Sequence, residues 1–135
     1  MAAIPPLSGS GGAFTYADIA TVNGIQAATL GGSIALLGAS GAIPPHISST
    51  YVITNGSALA ALTLAAPTAT VDDGTVITVT SNTAFAHTIT ATGLLQTGAA
   101  TVNVATFAAH PGASVTLMAY QGLWNVISQN AITFS

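Results

Sequence analysis

The stretch Ser114-Val-Thr-Leu-Met-Ala-Tyr-Gln-Gly-Leu-Trp-Asn-Val-Ile-Ser128 decides the fold class. It consists of two runs of alternating apolar and polar residues, joined through Tyr120-Gln121-Gly122. Successive side chains of a strand point to opposite faces, so Val115, Leu117 and Ala119 share one face and Thr116, Met118 and Tyr120 the other. Gly122 supplies the positive φ that a tight turn or G1 bulge requires, and the pattern reads as an antiparallel hairpin. Trp124, the only tryptophan, follows two residues later, and an indole of that size needs a sheet to cover it.

Strand signals of the same kind extend outward from this hairpin. Thr75-Val-Ile-Thr-Val-Thr-Ser81 and Ala86-His-Thr-Ile-Thr-Ala-Thr92 are dense in β-branched residues, which suit a pleated, half-buried surface. Thr78, Thr80, Thr88, Thr90 and Thr92 fall on outward positions. Thr50 to Thr54, Ala58 to Ala65, Thr101 to Phe107 and a short edge strand, Ala131 to Phe134, complete the set, although the Ala/Leu run at 58–65 also fits two helical turns. Asn55-Gly56, Asp72-Asp73-Gly74 and Ala109-His-Pro-Gly112 read as turns, and Gly93 to Ala99 as a loop. Seven or eight short strands at close spacing, with no solenoid period evident, predict an all-β domain: an antiparallel β-sandwich or jelly roll over residues 48–135.

Residues 1–47 have a different composition. Pro5-Pro6, the flexible Ser8-Gly-Ser-Gly-Gly12 and Pro44-Pro45 punctuate them, and Asn23-Gly24 is a hairpin signal. Residues 1–47 are read as an N-terminal arm, extended or a short hairpin, that carries inter-subunit or partner contact, with folding back on its own domain as the alternative. Deleting residues 1–45 is then expected to leave a folded sandwich that no longer binds its partner.

Charge is the most unusual property of the chain. Its 135 residues include no Lys or Arg and only three acids, Asp18, Asp72 and Asp73, so 2% are charged where about 25% is typical. Without cations the chain cannot neutralise phosphates, which argues against nucleic acid as a partner, or bind an anionic membrane surface electrostatically. Mean hydropathy is high, at +0.70, yet no run approaches the roughly 18 apolar residues of a membrane span. The N-terminus also lacks the positive region of a secretory signal. A soluble chain made in a cytoplasm is expected, with much of its surface covered in an assembly, because soluble surfaces ordinarily rely on charge to stay dispersed.

The inventory for chemistry is correspondingly thin. Glu, Lys, Arg and Cys are absent, which removes most general acids, phosphate clamps and all thiol chemistry. His46, His87, His110 and the aspartates remain. Asp72-Asp73 in a turn is a candidate oxygen site for a cation, set against the simpler role of closing and solvating that turn. A strand histidine such as His87 could be gathered on a three-fold axis, or simply be hydrogen-bonded. No catalytic, cofactor or metal residues are assigned, and the chain is not expected to be an enzyme. Tyr51, Tyr120 and Trp124 suit either a sugar-stacking platform or packing. The Thr-x-Thr pairs suggest an ice-binding ladder, but one that breaks at each turn.

Gly112 to Ser128, with its apolar strand, polar-Gly turn and Trp-x-Val-Ile strand, resembles the terminal hairpin of small β-domains in tailed-bacteriophage virion proteins. Gly74 to Asn82 and His87 to Thr90 are similar to the same head-fibre, decoration and tail-fibre modules. The resemblance covers residues 48–135. It implies a structural virion role, most readily that of a trimeric capsid decoration or cement protein on the head exterior, with the major capsid protein as partner. A carbohydrate- or receptor-binding fibre module is the alternative.

Overall fold

A computed structural model describes residues 34–135. Residues 1–33, including Asp18 and the Asn23-Gly24 hairpin signal, lie outside the described residues. The chain from residue 34 is all-β, as the alternation in the sequence requires. Its first six strands alternate between two layers. β1 (Ile34–Leu37), β3 (Ser49–Ile53) and β5 (Val76–Ser81) lie side by side in parallel, and so do β2 (Gly41–Ile43), β4 (Ala61–Leu64) and β6 (Thr88–Gln96). Each odd strand and the even strand after it therefore form one coil, and three coils stack.

The remaining strands close each layer with antiparallel pairs. β8 (Ser114–Tyr120) pairs with β5 and carries β9 (Leu123–Asn130) beyond it; β7 (Thr101–Phe107) pairs with β6 and carries β10 (Ile132–Phe134). The first layer is thus β1-β3-β5-β8-β9 and the second β2-β4-β6-β7-β10. Leu95 and Gln96 of β6 pair with Trp124 and Asn125 of β9, so the two layers are one sheet that curls on itself.

One core fills the space between the layers. Ile53, Ile77, Val79, Leu117 and Trp124 enter from the first, and Leu62, Ile89, Leu95 and Phe107 from the second, with Ala35 and Leu37 packed against them. The face assignment in the hairpin holds: Val115, Leu117 and Ala119 are buried, whereas Thr116, Met118 and Tyr120 point outward. Its turn, Gln121-Gly122, has both φ positive, at 50° and 82°. That is the type I′ geometry whose twist matches two antiparallel strands.

Three expectations need correction. The pairing is mixed rather than antiparallel, because the coils bring strands together in the same direction across long sequence separations. Residues 34–47 are not arm: β1 and β2 are ladder strands, and Ile43 is buried in the core. Pro44-Pro45, read as closing the arm, directly follows β2. Finally, β6 runs through Gly93 to Gln96, with a register irregularity after Thr90 that lets it leave β4 and meet β9.

Candidate functional site

The outer face of the first layer is where named side chains meet solvent without charge. In register across β1, β3, β5 and β8 run Ile34, Thr50, Thr78 and Thr116, then Leu36, Val52, Thr80 and Ser114. Val76 and Met118 pair beside them, with Tyr120 beyond. Ile34 is 60% exposed, Leu36 65% and Tyr120 58%, large values for apolar or aromatic side chains on a regular sheet. Thr78 and Thr116 join hydroxyls across the β5–β8 seam at 3.1 Å.

Two of the three acids lie at the rim of this face, where the β2–β3 and β4–β5 loops meet the β8–β9 turn. Asp72 Oδ2 accepts from the backbone N–H of Thr68 and from His46 Nδ1 at 2.7 Å. The Thr68 hydrogen bond and the His46 contact hold its carboxyl below the usual range, against a smaller opposing effect of burial. The neighbouring carboxylate turns elsewhere: Asp73 accepts from Gln121 N–H at 2.7 Å and from its side-chain amide at 2.9 Å. Asp72 and Asp73 are therefore each committed to separate loop contacts and do not converge on a shared cation position. Among the described residues no group of three metal-ligating side chains forms. His46 and Asp72 make a dyad, but no hydroxyl donates to the histidine among those residues, so no triad is assembled.

The second titratable cluster lies at the opposite corners of the coils. His87, fully buried, accepts the backbone N–H of Ala60 on Nδ1 at 2.9 Å and faces Thr83 Oγ1 with Nε2 at 2.7 Å. Because Nδ1 is an acceptor, the neutral ring carries its proton on Nε2 and donates to Thr83. Burial pushes the His87 pKa down. This is a structural histidine joining the second coil to the third, inaccessible to any axis between subunits. His110 sits in an exposed turn, its Nδ1 near Pro111 O at 3.0 Å.

The aromatic platform does not form. Trp124 is fully buried, with Nε1 donating to Ala65 O at 2.9 Å, and Tyr51 is buried too, leaving Tyr120 alone at the surface. The threonines, by contrast, line up better than the sequence suggested. Ala61, Thr88, Thr106 and Thr133 form one rank across the second layer, and Ala42, Thr63, Thr90 and Val104 the next. Antiparallel pairing joins Thr88, Thr106 and Thr133, and stacked coils join Thr63 to Thr90, across the turns that interrupt the ladder in sequence. These ranks are short, and one end opens into a hollow of about 490 Å³ between Pro44-Pro45 and Leu94.

The outward apolar residues of β1 are what the sequence reading missed, since they fall in the stretch taken for an arm. Their signal was the four-residue apolar run Ile34-Ala-Leu-Leu37, too short to stand out between glycines. A scan of protein-family models and a search of curated proteins both find no match to this chain.

Proposed function

We propose that the chain is a structural virion protein, a capsid decoration or cement protein of a tailed phage that assembles as a trimer and bridges capsomers of the major capsid protein on the head exterior. The observation that carries this reading is the outer face of the first layer: exposed Ile34, Leu36 and Tyr120 among threonines, with the described carboxylates, Asp72 and Asp73, at its rim. Uncovered apolar side chains on either side of an uncharged threonine surface suit burial against a neighbour, and covering them contributes roughly 25 cal/mol per Å² of apolar surface. A chain without Lys or Arg has little else to keep such a face dispersed in water.

The mechanism is mechanical. Contact across capsomer joints, repeated over many copies, stabilises a shell by mass action because the protein binds the assembled state. The phage assignment rests on the resemblance of residues 48–135 to virion β-domains; the interface reading rests on the face itself. The fibre-tip alternative loses its main support with Trp124 and Tyr51 buried.

The test has two parts. Light scattering is expected to give a trimer that Leu36→Asp dissociates while the circular dichroism of the sheet is retained, and the wild-type chain is expected to co-sediment with capsids lacking it. A stable wild-type monomer at micromolar concentration would remove the interface reading. A trimer indifferent to capsids would remove the decoration role alone.

A further inference from the structure

The crossing from β3 to β4 contains Asn55-Gly56-Ser57, a dipeptide of unusual reactivity followed by a hydrogen-bond donor. None of the three lies in a strand, and Gly56 and Ser57 are exposed. The Asn55 side-chain oxygen accepts from both the Ser57 backbone N–H and the Ser57 hydroxyl, each at 3.2 Å. The Gly56 N–H donates to no other described residue. A Cβ placed on Gly56 would find Thr83 Cγ2 at 3.9 Å and Thr54 O at 4.0 Å, ordinary contacts that leave Gly56→Ala compatible with the fold.

We infer that Asn55 is a site of spontaneous covalent modification, in which the chain's own backbone converts the amide to a carboxylate. The Gly56 nitrogen, losing its proton to hydroxide, forms a bond to Asn55 Cγ. The Cγ–Nδ2 bond breaks, and the leaving nitrogen takes a proton from water and departs as ammonia. A five-membered imide remains. Water then adds to either of its carbonyls and opens the ring to aspartate or to iso-aspartate, with no change of oxidation state.

Two features of this turn favour the first step. Negative charge develops on Oδ1 as the nitrogen attacks, and the two Ser57 donors already point at that atom, as oxyanion donors do. Glycine has no side chain to obstruct the approach of its nitrogen, and its own N–H is not held in a ladder. Serine thus assists, while the nucleophile is the main chain.

The consequence is large for this chain in particular. One conversion takes the net charge from -3 to -4, and no Lys or Arg exists in any copy to pair the new carboxylate. In a self-association built on uncharged surface, an unpaired charge at the coil corner weakens any contact that would bury it.

The experiment incubates the full-length protein in mildly alkaline buffer, native and in urea, and maps the amide-to-acid mass gain by peptide. Pepsin serves for the digest, since the chain offers trypsin no cleavage site and acid suppresses further conversion. Peptide mapping separates residue 55 from the other Asn-Gly pair, Asn23-Gly24. Residue 55 is expected to convert in the native chain at least as fast as in urea, with iso-aspartate among the products. Gly56→Ala should slow conversion. Ser57→Ala should slow native conversion by up to about tenfold, less than a fully enclosed oxyanion donor commands, because the turn is exposed. An amide at residue 55 that persists in the native chain while the urea-denatured chain converts would overturn the inference. Native conversion unaffected by Ser57→Ala would overturn the part assigned to serine.

Discussion

The three coils, β1 to β6, and the closing strands, β7 to β10, contribute equally to both layers but are held by different means. The closing strands contain the one hairpin whose turn is two residues long, β8 into β9, and each layer ends in antiparallel pairs. In the coils no strand pairs with the next. Ile34 meets Thr50 and Ser49 meets Ile77, so cohesion depends on contacts between segments far apart in the chain. The coil corners add hydrogen bonds of their own, from Thr54 N–H to Leu37 O, from Asn82 N–H to Ile53 O, from Ala61 N–H to Ser40 Oγ, and from Ala60 N–H to His87. Parallel coils are only as stable as the coil beneath them, whereas the hairpin carries its register within itself.

The largest expected effect follows from that dependence. Removing residues 1–33 takes away no described strand, and the remaining chain is expected to keep its sheet. Removing residues 1–45 deletes β1 and β2, uncovers the edges of β3 and β4, and exposes Ile53, Leu62 and Leu64. That product is expected to aggregate or to melt well below the shorter deletion in a thermal scan. Equal melting of the two would mean that the first coil is an ornament and the second supports itself.

Trp124→Ala tests the closing strands in the same currency. The indole is fully buried and its N–H satisfies Ala65 O in the loop after β4, so it also ties β9 to the second coil. Loss of about 3–5 kcal/mol is expected from the cavity, measured by urea denaturation. His87→Ala is the counterpart at the coil corners: it opens a smaller space and strands the Ala60 N–H, with an expected loss of about 2–4 kcal/mol. A His87 variant costing more than Trp124→Ala would make the corners, and not the hairpin side, the stronger element.

Acid should attack the coils before the hairpin. The folded His87 pKa lies below its unfolded value of about 6.5, so its stabilising effect is complete above that value and declines as pH falls through the folded one. Asp72 has the same sign at lower pH: its carboxyl is held below the unfolded value near 4, and its contribution is lost as the pH falls through the folded value. Midpoints in urea are therefore expected to drop in two stages between neutral and strongly acid pH. His87→Ala should remove the upper stage and leave the lower. Both groups join successive coils.

The same division explains what could be read from the sequence. Val115 to Ile127 announced itself because alternation, a positive-φ turn and a large aromatic all occur within one short window. The strand character of β3, β5, β6 and β7 was legible for the same local reason. Their partners were not: alternation gives a face, and only a turn gives a register. The coils advance by 16 residues from Ile34 to Thr50 and 28 from Ser49 to Ile77, so no repeat period betrays them. On the second layer Thr88 was legible as an outward threonine and its rank was not, because Thr88, Thr106 and Thr133 are brought together only by two antiparallel pairings. Asp72 and Asp73 looked like a pair and are not one, since each carboxylate is bound by a different loop.

The smallest effect lies on the seam where coil meets closing strand, between β5 and β8. Thr78 and Thr116 face each other there, hydroxyl to hydroxyl at 3.1 Å, on the outer face. Replacing either with Val keeps the β-branched shape and removes one partner, leaving the other hydroxyl to turn toward water, because the pair is only part-buried. The single variants are each expected to lose a few tenths of a kcal/mol, and a double-mutant cycle to give a coupling of about 0.2–1 kcal/mol, the range of cross-strand pairs. In the proposed self-association the apolar gain of Val works in the opposite direction, because two methyl groups extend the uncovered strip between Leu36 and Met118. The double variant is therefore expected to be slightly less stable as a fold yet no weaker as an oligomer. Weaker association by light scattering would show that these hydroxyls bond across the proposed interface rather than along the seam.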